Sequence, residues 1–202
     1  NKKFNLTGHD NLSEIIENLI IGSLEPLIYL DVPRGTLFAD IGTGSGIPGV
    51  PIGIKYNYCS GILFDSNIKK ISFINKTVSL LGINNLRGLD IRVENAGRLD
   101  EYREKFDFVF TRAMSDLFTI AELGSPLLKT GGFIYLYIKK NQFIITDYLI
   151  DHLVKVGLSL ETGPEFNDIH LDSPGLFLKK IKKTDALYPR RMPLIKRLAM
   201  KC

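Results

Sequence analysis

Apolar and polar positions follow one another along this chain in a pattern that predicts strands separated by helices. Apolar residues at helical spacing predict a first helix over 13–30, with a kink at Pro26, and Thr36 to Ile41 reads as a buried strand before a glycine-rich turn. The elements predicted downstream are an apolar run at 61–64, a helix at 67–81, strands at 89–93 and 106–111, a helix at 117–128, a strand at 133–138, a helix at 143–156 and a strand near 175–181.

This succession of strands and helices indicates an α/β fold with a mainly parallel, doubly wound sheet, because parallel neighbours need crossover connections. Sheets of this kind bind ligands beyond the carboxyl ends of their strands. The functional site is therefore expected at the residues that follow those strands: 40–49, Asp65, Val93-Glu94 and Thr111-Arg112.

The glycine-rich turn at 42–46 has a sequence that fits two kinds of cofactor site. Glycine lets the backbone turn tightly and approach a ligand closely. The segment from Gly44 to Gly49 matches the dinucleotide fingerprint G-x-G-x-x-G, and Asp65 lies near the usual offset of the ribose-binding acid. A nicotinamide-dependent oxidoreductase is therefore one interpretation.

Three details favour S-adenosylmethionine as the cofactor instead. The turn opens with an acid, Asp40, at the strand end, and a carboxylate there can attract the ammonium and sulfonium groups of this cofactor. S-adenosylmethionine has no pyrophosphate to bind. Pro48 occupies a position where a dinucleotide site would use a helix N–H, and proline has none.

Composition narrows the class of protein further. The chain has 202 residues, 45% of them hydrophobic, which suits one globular α/β domain. No apolar run approaches the roughly 18–20 residues of a membrane span. Cys59 and Cys202 stand apart, without a cluster of histidines or further cysteines, so we expect a cytoplasmic protein without a metal site or disulfide.

Basic residues are concentrated in the last 24 positions, which carry a net charge of +8, whereas the whole chain carries +4. Such a split suggests a polyanionic partner, although a solvated tail that binds nothing remains the alternative. The basic residues of this stretch are Lys179, Lys180, Lys182, Lys183, Arg190, Arg191, Lys196, Arg197 and Lys201.

The extended turn Asp40–Pro51, read as Asp-Ile-Gly-Thr-Gly-Ser-Gly-Ile-Pro-Gly-Val-Pro, resembles that of the RsmG (GidB) family. These bacterial enzymes methylate N7 of a guanine in the 530 loop of 16S ribosomal RNA. Four further segments are similar to family motifs and occur in the same order: Asn1 to Thr7, Leu63 to Ser66, Thr111 to Ala113 and Tyr188 to Arg191. The segment from Leu19 to Leu24 departs from the family pattern.

The resemblance implies a Rossmann-like class I methyltransferase fold with an antiparallel last strand, and we expect a monomer. One domain would cover 1–202, with an N-terminal helical segment at 1–35, an S-adenosylmethionine-binding core at 36–183 and a basic tail at 184–202. Together with the residue chemistry it predicts cofactor contacts at Asp40, Gly42, Gly44, Ile47, Asp65, Val93, Glu94 and Arg112.

The implied substrate is 16S ribosomal RNA or the small ribosomal subunit, with Lys139, Lys140, Arg190 and Arg191 as candidate RNA contacts. Guanine N7 carries a free lone pair, so no catalytic acid or base is expected. Arg112 could instead donate to guanine O6, or form a structural ion pair. A methyltransferase of another substrate and a non-catalytic RNA-binding or ribosome-assembly module are the alternative functions.

Overall fold

Seven strands form one sheet in the computed structural model, which describes residues 11–28, 32–112, 114–137, 144–161 and 175–202. The strands run in the order β3-β2-β1-β4-β5-β7-β6, and β7 is antiparallel to its two neighbours. Their bounds are β1 Leu37–Ile41, β2 Ser60–Phe64, β3 Leu86–Leu89, β4 Phe106–Arg112, β5 Leu128–Tyr137, β6 Leu158–Leu160 and β7 Gly175–Lys180. The predicted mainly parallel sheet with an antiparallel last strand is confirmed.

Helices cover both faces of this sheet. Their bounds are α1 Leu12–Glu14, α2 Gly22–Ile28, α3 Gly49–Lys55, α4 Ile68–Leu80, α5 Val93–Ala96, α6 Leu117–Gly124, α7 Asp147–Val156 and α8 Met192–Ala199, with a π-helical stretch Ile15–Ile21 between α1 and α2. Helices α5 to α8 contribute to one hydrophobic cluster, and α2, α3 and α4 to the other. The sheet is thus buried between two apolar layers.

The direction of winding changes between β1 and β4, which are neighbours in the sheet although two strands separate them in sequence. Beyond the carboxyl ends of two such strands, the connections leave in opposite directions and open a crevice. The glycine turn follows β1, and residues 114–116 follow β4 across this crevice. The topology therefore places both segments at one site.

Local chemistry explains where the helices begin. The Asn67 side chain accepts hydrogen bonds from Lys69 N and Lys70 N at the start of α4. Asp116 caps α6 in the same way by accepting from Thr119 N at 2.8 Å. Of the apolar face predicted for 67–81, the central residues Ile71, Ile74 and Val78 are buried, whereas Ile68 and Leu81 at its ends are exposed.

Several predicted bounds need correction. The strand predicted at 89–93 lies at Leu86–Leu89, and Val93 instead begins α5. The alternation arises because Leu89 at the end of β3, Ile91 in the following loop and Val93 in α5 all pack against the core. The helix predicted at 117–128 ends at Gly124, and β5 starts at Leu128. Residues 29–30, 138 and 143, at the ends of other predicted elements, lie outside the described residues.

Among the described residues, the longest helices are too short or too polar to cross a membrane.

Candidate cofactor and substrate site

Asp40, in β1, fixes the glycine turn by accepting hydrogen bonds from it. Its side chain is fully buried, and Oδ2 accepts hydrogen bonds from Thr43 Oγ1 at 2.6 Å and from Gly49 N at 2.8 Å. Burial raises the pKa of Asp40 to about 7, against the opposing effect of these two hydrogen bonds. Oδ1 has no hydrogen-bond partner among the described residues. Asp40 thus joins both ends of the turn.

Asp65, which follows β2, also accepts a hydrogen bond from this turn. Its Oδ2 accepts from Gly44 N at 2.9 Å, and its Oδ1 accepts from Asn67 N at 2.8 Å. The backbone N–H groups of Gly42 and Thr43 donate to the carbonyl of Phe64 at 2.9 and 3.0 Å. Because each carboxylate oxygen can accept more than one hydrogen bond, Asp65 keeps acceptor capacity for a ligand.

Glycine is required at position 42 for two reasons. Its φ is +70°, in the left-handed region that strains other residues. A Cβ there would also lie 2.6 Å from Cγ of Met114, which follows β4. The turn and Met114 therefore approach each other closely across the crevice.

A cavity of about 340 Å³ opens beside this turn. Four of the predicted cofactor residues line it: Gly42, Asp65, Val93 and Glu94. Other lining residues come from elements that the sequence did not connect with the site, namely Arg92, Met114 and Thr119, and Met192 and Lys196 of α8. The structure thus assembles one cavity from the ends of β1 and β2, from α5 and α6, and from the C-terminal helix.

The other predicted cofactor residues do not line the cavity. Gly44 belongs to the turn and binds Asp65, and Ile47 lies on the same loop, partly buried. Arg112, at the end of β4, donates from Nη2 to the carbonyl of Asn18 at 2.7 Å and lies 5.6 Å from the ring centroid of Tyr137. Its Nη1 is buried and has no hydrogen-bond partner among the described residues.

Two basic residues of the tail bind groups inside the fold. Arg190 binds the buried carboxylate of Glu122, and its RNA contact stays a prediction. Lys180 is buried and donates to the carbonyl of Ser125 at 2.7 Å, and burial lowers its pKa to about 7. Lys180 is therefore not presented to a polyanion, whereas the Arg190 side chain is 18% exposed.

Arg191 is exposed and precedes α8 as its N-terminal cap residue, next to the cavity-lining Met192. Lys139, Lys140 and the first seven residues lie outside the described residues. Sequence reasoning missed Met192 and Lys196 because it treated the tail as charge alone. Their spacing of four, within a segment rich in apolar residues, was the available signal, since positions i and i+4 share one face of a helix.

The strand order and the glycine turn between Asp40 and Asp65 define a Rossmann-like class I methyltransferase fold. A solved S-adenosylmethionine-dependent methyltransferase from Aquifex aeolicus shares this fold, with a TM-score of 0.58 and 12% identity over 85% of this chain and 95% of that chain. The chain belongs to the GidB family, described as rRNA small subunit methyltransferase G, whose profile matches residues 1–147.

Two curated relatives carry the name ribosomal RNA small subunit methyltransferase G. The protein from Lachnoclostridium phytofermentans is 32% identical over 98% of this chain and 85% of its own length. The protein from Mycoplasma capricolum subsp. capricolum is 37% identical over 95% of this chain and 81% of its own length. The suspected family is thereby confirmed, and of the two cofactor interpretations S-adenosylmethionine is the correct one.

Proposed function

We propose that this protein transfers a methyl group from S-adenosylmethionine to N7 of a guanine in the 530 loop of 16S ribosomal RNA, acting on the RNA or on small-subunit particles in the cytoplasm. The observation that carries the proposal is the cavity itself. It joins the acidic residues Asp65 and Glu94 to Lys196, a cation from the basic tail. A cofactor-binding surface and an RNA-attracting segment thus border the same opening.

The residues of this cavity fit the cofactor. Its volume of about 340 Å³ lies within the range of roughly 300–1,000 Å³ that is typical of small-molecule sites. We propose that Asp65 accepts hydrogen bonds from the ribose hydroxyls and that Val93 and Glu94 contact the adenosine. Gly42, Gly44 and Ile47 would form the surface of the turn, and Asp40 would complement the positive charge of the methionine end.

Arg112 keeps one guanidinium nitrogen without a partner among the described residues, and we propose that this nitrogen binds the cofactor. Calorimetry with S-adenosylhomocysteine separates the two possible roles of this arginine. Arg112→Ala should weaken that binding. Unchanged binding together with a higher KM for RNA would assign Arg112 to the guanine instead.

The chemistry needs positioning more than proton transfer. Bound S-adenosylmethionine supplies a methyl group on a positively charged sulfur. Guanine N7 offers an unprotonated lone pair, so the protein needs only to hold the base in line with that methyl group and exclude water. No side chain has to accept a proton from N7.

We propose that Arg191 and Lys196 contact the RNA. Lys139 and Lys140 remain candidate RNA contacts on the basis of the sequence alone. Lys196 is exposed and lines the cavity, and Arg191 lies one residue before α8. Phosphate contacts from such residues position the RNA without reading its sequence. Lys196→Ala should weaken RNA binding and reduce the magnitude of the negative slope of log affinity against log salt by about 1. Arg197→Ala, one residue further along α8 and outside the cavity lining, is the matched control.

Transfer of labelled methyl groups to unmodified small-subunit RNA or particles tests the function. We expect transfer by the wild-type protein, its loss in Asp65→Ala, and its abolition by prior ribonuclease treatment. Transfer that survives ribonuclease would identify a different substrate. RNA binding without any binding of S-adenosylmethionine would identify a non-catalytic module.

A further inference from the structure

Glu122 and Arg190 form a buried ion pair between α6 and the segment that leads into α8. Glu122 is fully buried. The backbone N and the Nε of Arg190 each donate to Glu122 Oε1 at 2.8 Å, Nε also lies 3.1 Å from Oε2, and Nη2 pairs with Oε2. Contacts through both the backbone and the guanidinium fix the position of Arg190 as well as its charge.

Neighbouring side chains enclose this pair. The Arg190 guanidinium lies 5.2 Å from the ring centroid of Tyr188 and 6.0 Å from that of Phe118. Nε2 of His152 is 3.7 Å from Glu122 Oε2. Because burial lowers the pKa of His152 to about 4, this histidine is neutral at pH 7. Arg190 is therefore the cation that balances Glu122.

The ion pair connects two walls of the cofactor cavity. On α6, Thr119 and Leu123 line the cavity, and Glu122 lies between them in sequence. Arg190 is two residues before Met192, which together with Lys196 forms the α8 wall. The segment before Arg190 is also fixed in place, since Arg103 donates to the carbonyls of Tyr188 at 2.9 Å and Thr184 at 2.8 Å.

We propose that the Glu122–Arg190 pair is a clasp that sets the distance between the α6 and α8 walls and so determines how tightly the cofactor is held. Both are positioning residues, because neither lines the cavity. The inference rests on the proposed placement of S-adenosylmethionine in that cavity. It gives the C-terminal segment a role in cofactor binding in addition to its charge.

The decisive variant is Glu122→Met/Arg190→Met, which replaces both charged groups with apolar groups of similar length. Such replacements of a buried ion pair are often neutral for stability, so the protein should stay folded. We expect the Kd for S-adenosylhomocysteine, measured by calorimetry, to rise about tenfold or more. The KM for S-adenosylmethionine should rise in parallel, with a smaller change in kcat.

Arg190→Lys is the conservative variant, and it tests the clasp even if the double variant does not fold. Lysine keeps the charge but cannot form the guanidinium contacts, so we expect a rise in Kd of about threefold with little change in Tm. Lys183→Met, at an exposed position of the same segment, is the control and should leave the Kd unchanged.

Wild-type affinity in Arg190→Lys, or in a folded double variant, would overturn the clasp, because a purely structural pair changes Tm without changing the Kd. Asp65→Ala separates this outcome from failure of the proposed site. If Asp65→Ala weakens binding and the clasp variants do not, only the clasp is wrong. If all of them bind like the wild type, the cofactor lies elsewhere and both proposals fail.

Discussion

Two fully buried carboxylates, Asp40 and Glu122, lie next in sequence to segments that form the candidate site, and the fold satisfies them in different ways. Asp40 accepts hydrogen bonds from neutral donors three and nine residues further along the chain. Glu122 pairs with a cation 68 residues away. The first arrangement builds a local turn, whereas the second joins two distant segments.

This difference has an electrostatic consequence. Among the described residues no cation pairs with Asp40, so burial disfavours its charged form and raises its pKa to about 7. Glu122 has Arg190 against it, and the two charges compensate each other. A positively charged ligand near Asp40 would therefore favour the ionised form of this carboxylate. Glu122 already has a paired cation in Arg190.

The largest expected effect on stability comes from removing the cation that pairs with Glu122, and it should exceed the effect of removing one hydrogen-bond donor to Asp40. Arg190→Ala leaves a buried carboxylate without its cation and should lower the free energy of unfolding by roughly 3–5 kcal/mol. Thr43→Val removes only one neutral hydrogen bond to Asp40 and should cost roughly 1–3 kcal/mol. Denaturant titration of both variants measures the difference. Equal losses would mean that the two carboxylates are held equally strongly.

The second prediction concerns the turn that Asp40 supports. Gly42→Ala should cost roughly 1–2 kcal/mol for its left-handed backbone, and the collision with Met114 should add to that cost. Gly82→Ala is the matched control, since Gly82 has a similar φ of +66° with nothing within 4 Å of an added Cβ. Only Gly42→Ala should weaken binding of S-adenosylhomocysteine in calorimetry. Equal binding by both variants would contradict close packing of Met114 over the turn.

The third prediction concerns the pH dependence that Asp40 contributes to stability. Its pKa is raised from 3.8 to about 7, so between these values the folded protein binds a proton that the unfolded chain has released. Stability from this group is fully present below about pH 4 and is lost as the pH rises to about 7, at roughly 1 kcal/mol per pH unit.

Asp40→Asn removes this titration. The difference in unfolding free energy between the wild type and Asp40→Asn, followed from pH 4 to pH 8, should therefore fall up to about pH 7 and then level off. A difference that does not change with pH would show that Asp40 is ionised throughout this range.

The edge of the sheet that carries the candidate site could be predicted from the sequence because its signals are local. An apolar strand that ends in Asp40, a run of glycines and a second strand that ends at Asp65 specify a site at one edge of a parallel sheet. The bounds of β3 could not be predicted in the same way. Leu89, Ile91 and Val93 alternate like a strand, but the strand ends at Leu89 and Val93 begins α5.

The contacts of the C-terminal residues could not be predicted in this way, because they depend on partners far away in sequence. Charge alone did not separate Arg190, bound to Glu122, or Lys180, bound to Ser125, from an exposed lysine such as Lys196. Only the folded arrangement shows that Met192 and Lys196 reach the cavity. The sequence predicts a polyanionic partner for this segment but does not tell which of its basic residues are exposed.

The most direct test of the proposed function is to map the methyl group. Small-subunit particles from a bacterial strain that lacks this modification would be incubated with the purified protein and S-adenosylmethionine, and their RNA digested and analysed by mass spectrometry. We predict one new 7-methylguanine, located in the 530 loop and absent when Asp65→Ala replaces the wild type. A methyl group at another atom or position would contradict the account. So would particles that stay unmethylated although the protein binds the cofactor.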